Sequence, residues 1–310
     1  MFKKIKRYLS DPYWALGCDM IKMHSKWMSD EFYLRTLWRM LMGYKLDLKN
    51  PKTVSEKIQW LKLHDHNPLH TILVDKVLAK EWISNHFGEQ YVIPTIAKYT
   101  NADAIELDKL PEKFVLKSNH DSGSVFICYN KTSGEYYDKH MHKYTFDEVK
   151  EKLNEALKKN FYWEAREWAY KYVKPQIFVE TILQCADGSI PNDYKLFFIN
   201  GEFVFTYVSF DREGANDRCT YDKNWNKLPF VYIDHYRENL NTSDVPCPAS
   251  YRLMLDFGKK ISEHFKFVRI DLYDVDGKMY FGEVTPYHSG GFAQFYPSEY
   301  DAIYSELLKL

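Results

Sequence analysis

The sequence predicts an α+β protein of two lobes, and three observations carry that expectation. Segments of helical apolar period alternate with short runs of strand-forming residues, in the order helix, hairpin, helix, run of strands, helix, hairpin, helix. Asn200-Gly201 and Asp276-Gly277 are hairpin signals, each lying between two strand-like segments. The 310 residues suffice for two domains or one two-lobed domain, and no tandem repeat or low-complexity tract interrupts them. The expected divisions are an N-terminal helical segment over 1–50, an α/β subdomain over 51–110, a small lobe over 111–180 and a C-terminal lobe over 181–310.

A formal net charge of -1 gives no electrostatic case for a nucleic-acid partner. The 45% hydrophobic and 27% charged residues fit a water-soluble globular chain. Aromatics reach 17%, which suits a core and also stacking on a sugar or a base. Cys18, Cys128, Cys185, Cys219 and Cys247 are odd in number and far apart, unlike a disulfide framework or a zinc site. No apolar run has transmembrane length, and no apolar core of a signal peptide follows the basic start before Pro12. A cytoplasmic protein is therefore expected. Lys3, Lys4, Lys6 and Arg7 with Phe2, Ile5 and Leu9 could touch an anionic membrane peripherally, although a basic end covering the domain is the simpler account.

Each element has its own signal. Ser29-Asp30-Glu31 opens a helix whose apolar face is Phe32, Leu34, Leu37, Trp38, Met40 and Leu41. Thr53 and Glu56 form a capping box ahead of Ile58, Trp60, Leu61 and Leu63. His64, Asp65, His66 and His70 lack the spacing of a metal site and read as a polar turn. Residues 71–87 have the period of one amphipathic helix, ended by Gly88. Strands are expected at 92–96, 114–117 and 125–129. Thr145 and Glu148 cap a helix over 145–159, and the aromatic stretch 163–172 suits a second, shorter one. Residues 175–183, 193–200 and 203–210 read as strands, 211–225 as a polar loop, and 251–265 and 297–310 as helices.

Two segments bear on chemistry. In 267–284 a strand, an Asp-Gly turn and a returning strand can project Asp271 and Glu283 from one face. Two such carboxylates repel unless a cation separates them, and Mg²⁺ shared with substrate phosphates is the usual solution. Taken alone, an ordinary acidic hairpin facing solvent is the simpler account. Upstream, Lys117 enters a loop of small residues that includes Ser122, Gly123 and Ser124. Such a loop lets phosphate oxygens approach backbone N–H groups, and the lysine adds charge. A plain hairpin turn rich in turn formers has the same composition.

Together the segments resemble a known family. Residues 51–63 (PKTVSEKIQWLKL), Asp75-Lys76, 113–123 (KFVLKSNHDSG), 193–201 (DYKLFFING) and 267–285 (FVRIDLYDVDGKMYFGEVT) are similar, in order, to motifs of the ATP-grasp superfamily. They are more similar still to its TupA-like branch, named for teichuronopeptide biosynthesis, and the resemblance runs from about residue 30 to the C-terminus. It implies an ATP-grasp fold, with two α+β lobes sandwiching the nucleotide behind an N-terminal helical segment. By this resemblance Lys117 contacts the α and β phosphates, and Ser122, Gly123 and Ser124 lie in a mobile loop that closes over them. Lys76 is a further nucleotide-side lysine. Glu180, Thr181, Ile182 and Leu183 fall at the hinge that binds adenine through backbone groups and a nearby carboxylate. Lys195 is similar to the second-lobe lysine near the nucleotide. Asp271 and Glu283 match the metal pair, and Thr285 stands where most ATP-grasp enzymes carry an asparagine ligand. Asp121 replaces a glycine common in the branch and brings a carboxylate near phosphate. The turn 287–291 (YHSGG) is similar to the branch's small-residue turn.

The resemblance implies an ATP- and Mg²⁺-dependent carboxylate–amine ligase working through an acyl phosphate. It would join an amino acid or other amine to a uronic-acid carboxylate of a bacterial capsular or cell-surface polysaccharide. Arg218, Arg269 and Lys195 are the catalytic candidates, since a planar guanidinium fits an acyl phosphate and a lysine neutralises phosphate charge. A loop ion pair with Asp211, Asp217 or Asp222 would explain Arg218 equally well. The alternative reading is a glycosyltransferase of the same pathway, for which Asp274-Val275-Asp276 has DxD spacing, although it falls in a turn. A nucleotide-binding scaffold without turnover fits poorly with an intact set of Lys117, Asp271 and Glu283.

Overall fold

The structure, a computed structural model, describes residues 15–17, 19, 26–210, 217–233 and 243–310, with Asp217 described in its backbone alone. The basic segment Lys3 to Arg7, with Asp211 and Arg212 of the polar loop, lies outside the described residues. Among the described residues no helix is long and apolar enough to cross a membrane.

The Ser29 hydroxyl accepts the Phe32 N–H at 3.3 Å and opens α1 (Asp30–Met42). Its buried side is Tyr33, Leu34, Leu37, Trp38 and Met40. Phe32 and Leu41, expected on that face, are about half exposed, and Phe32 lies across the helix from the buried stripe. Both halves of the capping box form at α2 (Val54–His64). The helix expected over 71–87 is two helices, α3 (Pro68–Val74) and α4 (Lys76–Phe87). Asp75 breaks it: its backbone is extended and its carboxylate accepts the N–H groups of Val77 and Leu78 at 2.9 and 3.3 Å. A cap offers these N–H groups an acceptor other than the preceding turn, so the helix restarts. His70 lies on α3 with its ring stacked on Phe265, so the polar turn is shorter than expected.

The first sheet has six strands: β1 (Thr95–Tyr99), β2 (Phe114–Ser118), β3 (Val125–Asn130), β4 (Glu135–Asp138), β5 (Lys143–Tyr144) and β6 (Ile177–Glu180). Their spatial order is β1-β6-β2-β3-β4-β5. β1 starts later than expected, beyond Pro94, which has no N–H to give a ladder. One sheet face, with Phe114, Leu116, Phe126, Ile177 and Val179, packs on Val149 and Leu153 of α5 (Phe146–Leu157). The aromatic stretch forms only the single turn α6 (Tyr162–Ala165) and a 3₁₀ turn.

The second sheet comprises β7 (Asp193–Ile199), β8 (Glu202–Phe210), β9 (Asp217–Tyr221), β11 (Phe267–Val275) and β12 (Lys278–Thr285), in the order β12-β11-β7-β8-β9. β10 (Val231–Ile233) pairs instead with β13 (Gln294–Tyr296). β9 is a strand inside the segment expected to be loop; its edge pairing with β8 supplies the order that its polar sequence does not signal. The inner face, with Leu196, Phe198, Ile270 and Leu272, packs on Met254, Phe257 and Ile261 of α7 (Tyr251–Ser262). α8 (Glu299–Leu307) closes the chain against α2.

α2 also grips the turn after β12. Gln59 Nε2 donates to the carbonyls of Gly290 and Gly291 at 3.1 and 2.7 Å, and Lys62 Nζ donates to Gly290 at 2.6 Å. Gly291 has φ +70°, and a Cβ there would lie 2.6 Å from Gln59 Nε2 and 2.7 Å from Ile58 Cγ2. Left-handed strain and overpacking therefore add, and Gly291→Ala is expected to cost about 2–4 kcal/mol in denaturant unfolding. A cost within about 0.5 kcal/mol would mean that this turn relaxes freely.

Candidate active site

The polar face of the second sheet brings most of the expected residues together. In a strand, residues two apart share a face, and paired residues across strands do too. Asp271 pairs with Lys195 on one side and Glu283 on the other; Arg269 pairs with Thr285. Arg269, Asp271, Glu283, Thr285 and Lys195 thus stand in one patch. Arg269 Nε and Nη2 donate to the two Asp271 oxygens at 2.6 and 2.8 Å, and Nη2 also reaches Glu283 Oε1 at 2.6 Å and Thr285 Oγ1 at 3.2 Å. Lys195 Nζ bonds Asp193 and reaches Asp271 Oδ2 at 2.7 Å. Lys76, at the start of α4, lies 3.8 Å from Glu283 Oε2.

Charge follows the geometry. Burial pushes the Glu283 carboxyl up, but Lys76, Arg269 and Lys195 outweigh it and hold it down at about 2. Burial dominates at Asp271 and raises it despite Arg269 and Lys195. The donors are two carboxylates and a hydroxyl, all oxygen, and a guanidinium already stands between the carboxylates. That set fits a hard divalent cation such as Mg²⁺, which is held by one or two carboxylates plus phosphate oxygens. Among the described residues no group of three or more His, Cys, Asp or Glu side chains is placed to hold a metal by itself.

His288 was not singled out in the sequence. It lies in the turn after β12, where its Nδ1 accepts Arg269 Nη1 at 2.8 Å and its Nε2 donates to the Tyr232 carbonyl at 3.3 Å. Burial, then the Arg269 charge, hold it well below the ordinary histidine value, so it is a neutral prop for the guanidinium. No spacing in the sequence announces it, because its partner is 19 residues away across a turn.

The first sheet contributes a cavity of about 130 Å³ between the sheets. Val115, Lys117, Val125, Ile127 and Glu180 from its open face, Thr181, Ile182 and Leu183 from the segment after β6, and Tyr273 of β11 line it. Lys117 Nζ bonds Glu180 Oε1, while Lys80 Nζ donates to Glu180 Oε2 at 2.5 Å. Burial raises the Glu180 carboxyl, and the two lysines more than offset this and keep it below the ordinary range. Lys80 is a second residue missed from sequence; its signal was the i, i+4 spacing from Lys76 on one helix face.

The small-residue loop lies beside α4. Lys76 Nζ donates to the Asp121 carbonyl at 2.5 Å, and Asn119 Nδ2 donates to Asp75 Oδ2 at 2.9 Å. The Asp121 carboxylate turns back on its own loop, accepting Gly123 N–H at 3.2 Å, Ser124 N–H at 2.9 Å and Ser124 Oγ–H at 2.7 Å. Ser122 gives its carbonyl to Lys139 Nζ at 3.2 Å. Arg218 stands apart on β9, opposite Ser209 and with its guanidinium 5.8 Å from the Tyr207 ring. Asp222, one of its expected partners, is committed to Asn224 and Asn226 in its own turn. Asp211 and the side chain of Asp217 lie outside the described residues. The DxD pair is committed as well: Asp274 accepts from Ser250 and Gly277, and Asp276 accepts from Ala186.

A family model described as TupA-like ATPgrasp matches residues 56–309. Among solved structures, a D-alanine–D-alanine ligase from Bacillus anthracis complexed with ATP is 15% identical, with a TM-score of 0.37 over 69% of this chain and 56% of that one. The D-alanine–D-alanine ligase from Helicobacter pylori is 15% identical, with a TM-score of 0.40 over 83% and 69%. A phosphoribosylamine–glycine ligase from Thermotoga maritima is 13% identical, with a TM-score of 0.39 over 76% and 50%. The chain thus spans about half the length of the first of these, and no curated protein matches it. The fold is an ATP-grasp fold. Within that class, the chain belongs to the TupA-like ATP-grasp family.

Proposed function

We propose that the protein is an ATP- and Mg²⁺-dependent carboxylate–amine ligase. The observation that supports this most is the polar sheet face, where Lys195, Arg269, Asp271, Glu283 and Thr285 form one bonded network beside a cavity lined by Lys117 and the hinge residues 181–183. In this reading the base enters the cavity against Thr181, Ile182 and Leu183. Lys117, Lys76 and the loop Ser122-Gly123-Ser124 hold the phosphates, for which Asp121 must release its two N–H groups. Asp271 and Glu283, with the Thr285 hydroxyl, would hold Mg²⁺, which supplies charge neutralisation at the phosphate oxygens.

The substrate carboxylate attacks the γ-phosphorus, the bond to ADP breaks, and an acyl phosphate forms. An amine nitrogen then attacks the acyl carbon, phosphate leaves, and the nitrogen loses a proton. In this reading Arg269 steadies the acyl phosphate and Lys195 neutralises phosphate charge. Arg218, on the same sheet face but on β9, is the second guanidinium candidate for the acyl phosphate. ATP as substrate assigns the reaction to the cytoplasm. The name of the branch supports an amino acid as the amine and a uronic-acid carboxylate of a capsular or cell-surface polysaccharide as acceptor.

Incubation with ATP, Mg²⁺, an amino acid and a uronic acid is expected to release ADP and phosphate and to yield an amide detectable by mass. Consumption of a nucleotide sugar with no ATP cleavage would overturn the reading.

A further inference from the structure

Lys80 of α4, Glu180 of β6 and Lys117 of β2 form a chain of three charges against the first sheet. Each has a different access to the cavity. The Glu180 side chain is 3% exposed and Lys80 6%, whereas Lys117 is 21% exposed and lines the cavity. Lys80 Nζ donates to Ile93 O at 3.0 Å, Thr95 Oγ1 at 3.3 Å and Glu180 Oε2 at 2.5 Å. An ammonium has three N–H groups, so all of them are spent on protein. Lys80 therefore cannot serve a ligand directly. Glu180 likewise has one oxygen on each lysine.

We infer that Lys80 is a positioning residue that keeps Glu180 charge-compensated, so that Lys117 can exchange Glu180 for a nucleotide phosphate. This rests on the nucleotide reading of the cavity given above. The reason is electrostatic. A buried carboxylate left without a cation is costly, so a lysine that is its sole counter-ion is held in place. With Lys80 fixed by two further acceptors, Glu180 retains a counter-ion when Lys117 turns toward the cavity. The triad then carries one net positive charge, all of it on the lysine that can move. Without Lys80, Lys117 and Glu180 form a closed neutral pair with nothing to offer a phosphate.

The test uses the full chain and calorimetric titration with adenosine and with ATP plus Mg²⁺. The ratio of the two affinities isolates what the phosphates contribute. Lys80→Met is expected to lower that ratio at least about tenfold, with adenosine binding unchanged. Adding Glu180→Gln removes the charge that Lys80 compensates, and the double variant is expected to return to within about threefold of the wild-type ratio. A merely structural role for Lys80, through Ile93 and Thr95, would not be rescued this way. Should Lys80→Met alone fail to fold, Lys80→Gln, which removes the charge but keeps an N–H donor for Glu180, takes its place in both the single and the double variant. Parallel losses for adenosine and ATP, an unchanged ratio, or a double variant that stays weak each overturn the inference. A wild-type protein that binds ATP no better than adenosine would instead overturn the phosphate assignment on which it rests.

Discussion

Glu283→Ala is expected to lower Mg²⁺-dependent ADP formation by about a thousandfold or more while the protein remains folded. Glu283 is one of only two carboxylates on the polar face of the second sheet hairpin, paired directly with Asp271. Removing it halves the acidic oxygen set and leaves Arg269 bonded to Asp271 alone, a geometry that favours the internal guanidinium over a divalent cation. The fold should tolerate the change: the side chain is 30% exposed, and Arg269 keeps both Asp271 oxygens as partners, so no charge is left buried without a counter-ion. ADP release against Mg²⁺ concentration, with circular dichroism as the folding control, checks both halves. Near-normal turnover would move the metal elsewhere.

Asp75→Ala should produce the largest loss of stability among single polar substitutions around the site, about 3 kcal/mol. Two terms add. The helix cap at Val77 and Leu78 accounts for about 1–2 kcal/mol. The Asn119 amide, itself fully buried, loses its acceptor at the cost of a desolvated donor, about 1–3 kcal/mol. Asn119 also accepts the Gln176 N–H at 2.9 Å, donates to the Lys174 carbonyl at 3.0 Å, and gives its carbonyl to the Lys76 N–H at 3.0 Å. It is the joint between α4, the small-residue loop and the strand leading to the hinge. Weaker ATP binding should therefore accompany the instability. Denaturant unfolding measures the first effect, and a loss below about 1 kcal/mol would remove Asp75 from this role.

What could be read from the sequence shares one property: its cause is local. Capping boxes at Thr53 and Thr145 involve residues three apart, and both form as read. Gly88 ends its helix at φ +115°. The Asp-Gly turn at 276–277 fixes the register of β11 and β12 from Val275–Lys278 to Leu272–Phe281; a bulge at Gly282, which no local signal announced, then shifts it by one residue and sets Asp271 opposite Glu283. The hydrophobic period also gave the helices, but it missed the break at Asp75, because the apolar stripe continues through it and only a capping carboxylate marks the restart.

The sequence by itself determined the family and named Asp271 and Glu283 as the candidate metal pair, because the family's motifs are written in contiguous stretches. Only the tertiary structure decided what those residues bond to. Glu180 and Lys117 are 63 positions apart, and Lys195 and Asp271 are 76 apart. No local pattern encodes such pairs; they exist because sheet order places β6 beside β2 and β7 beside β11. The same holds for Asp121, which the resemblance brings near phosphate and which the folded loop turns onto its own N–H groups. Spacing specifies which charges a site contains, and packing specifies which of them neutralise one another.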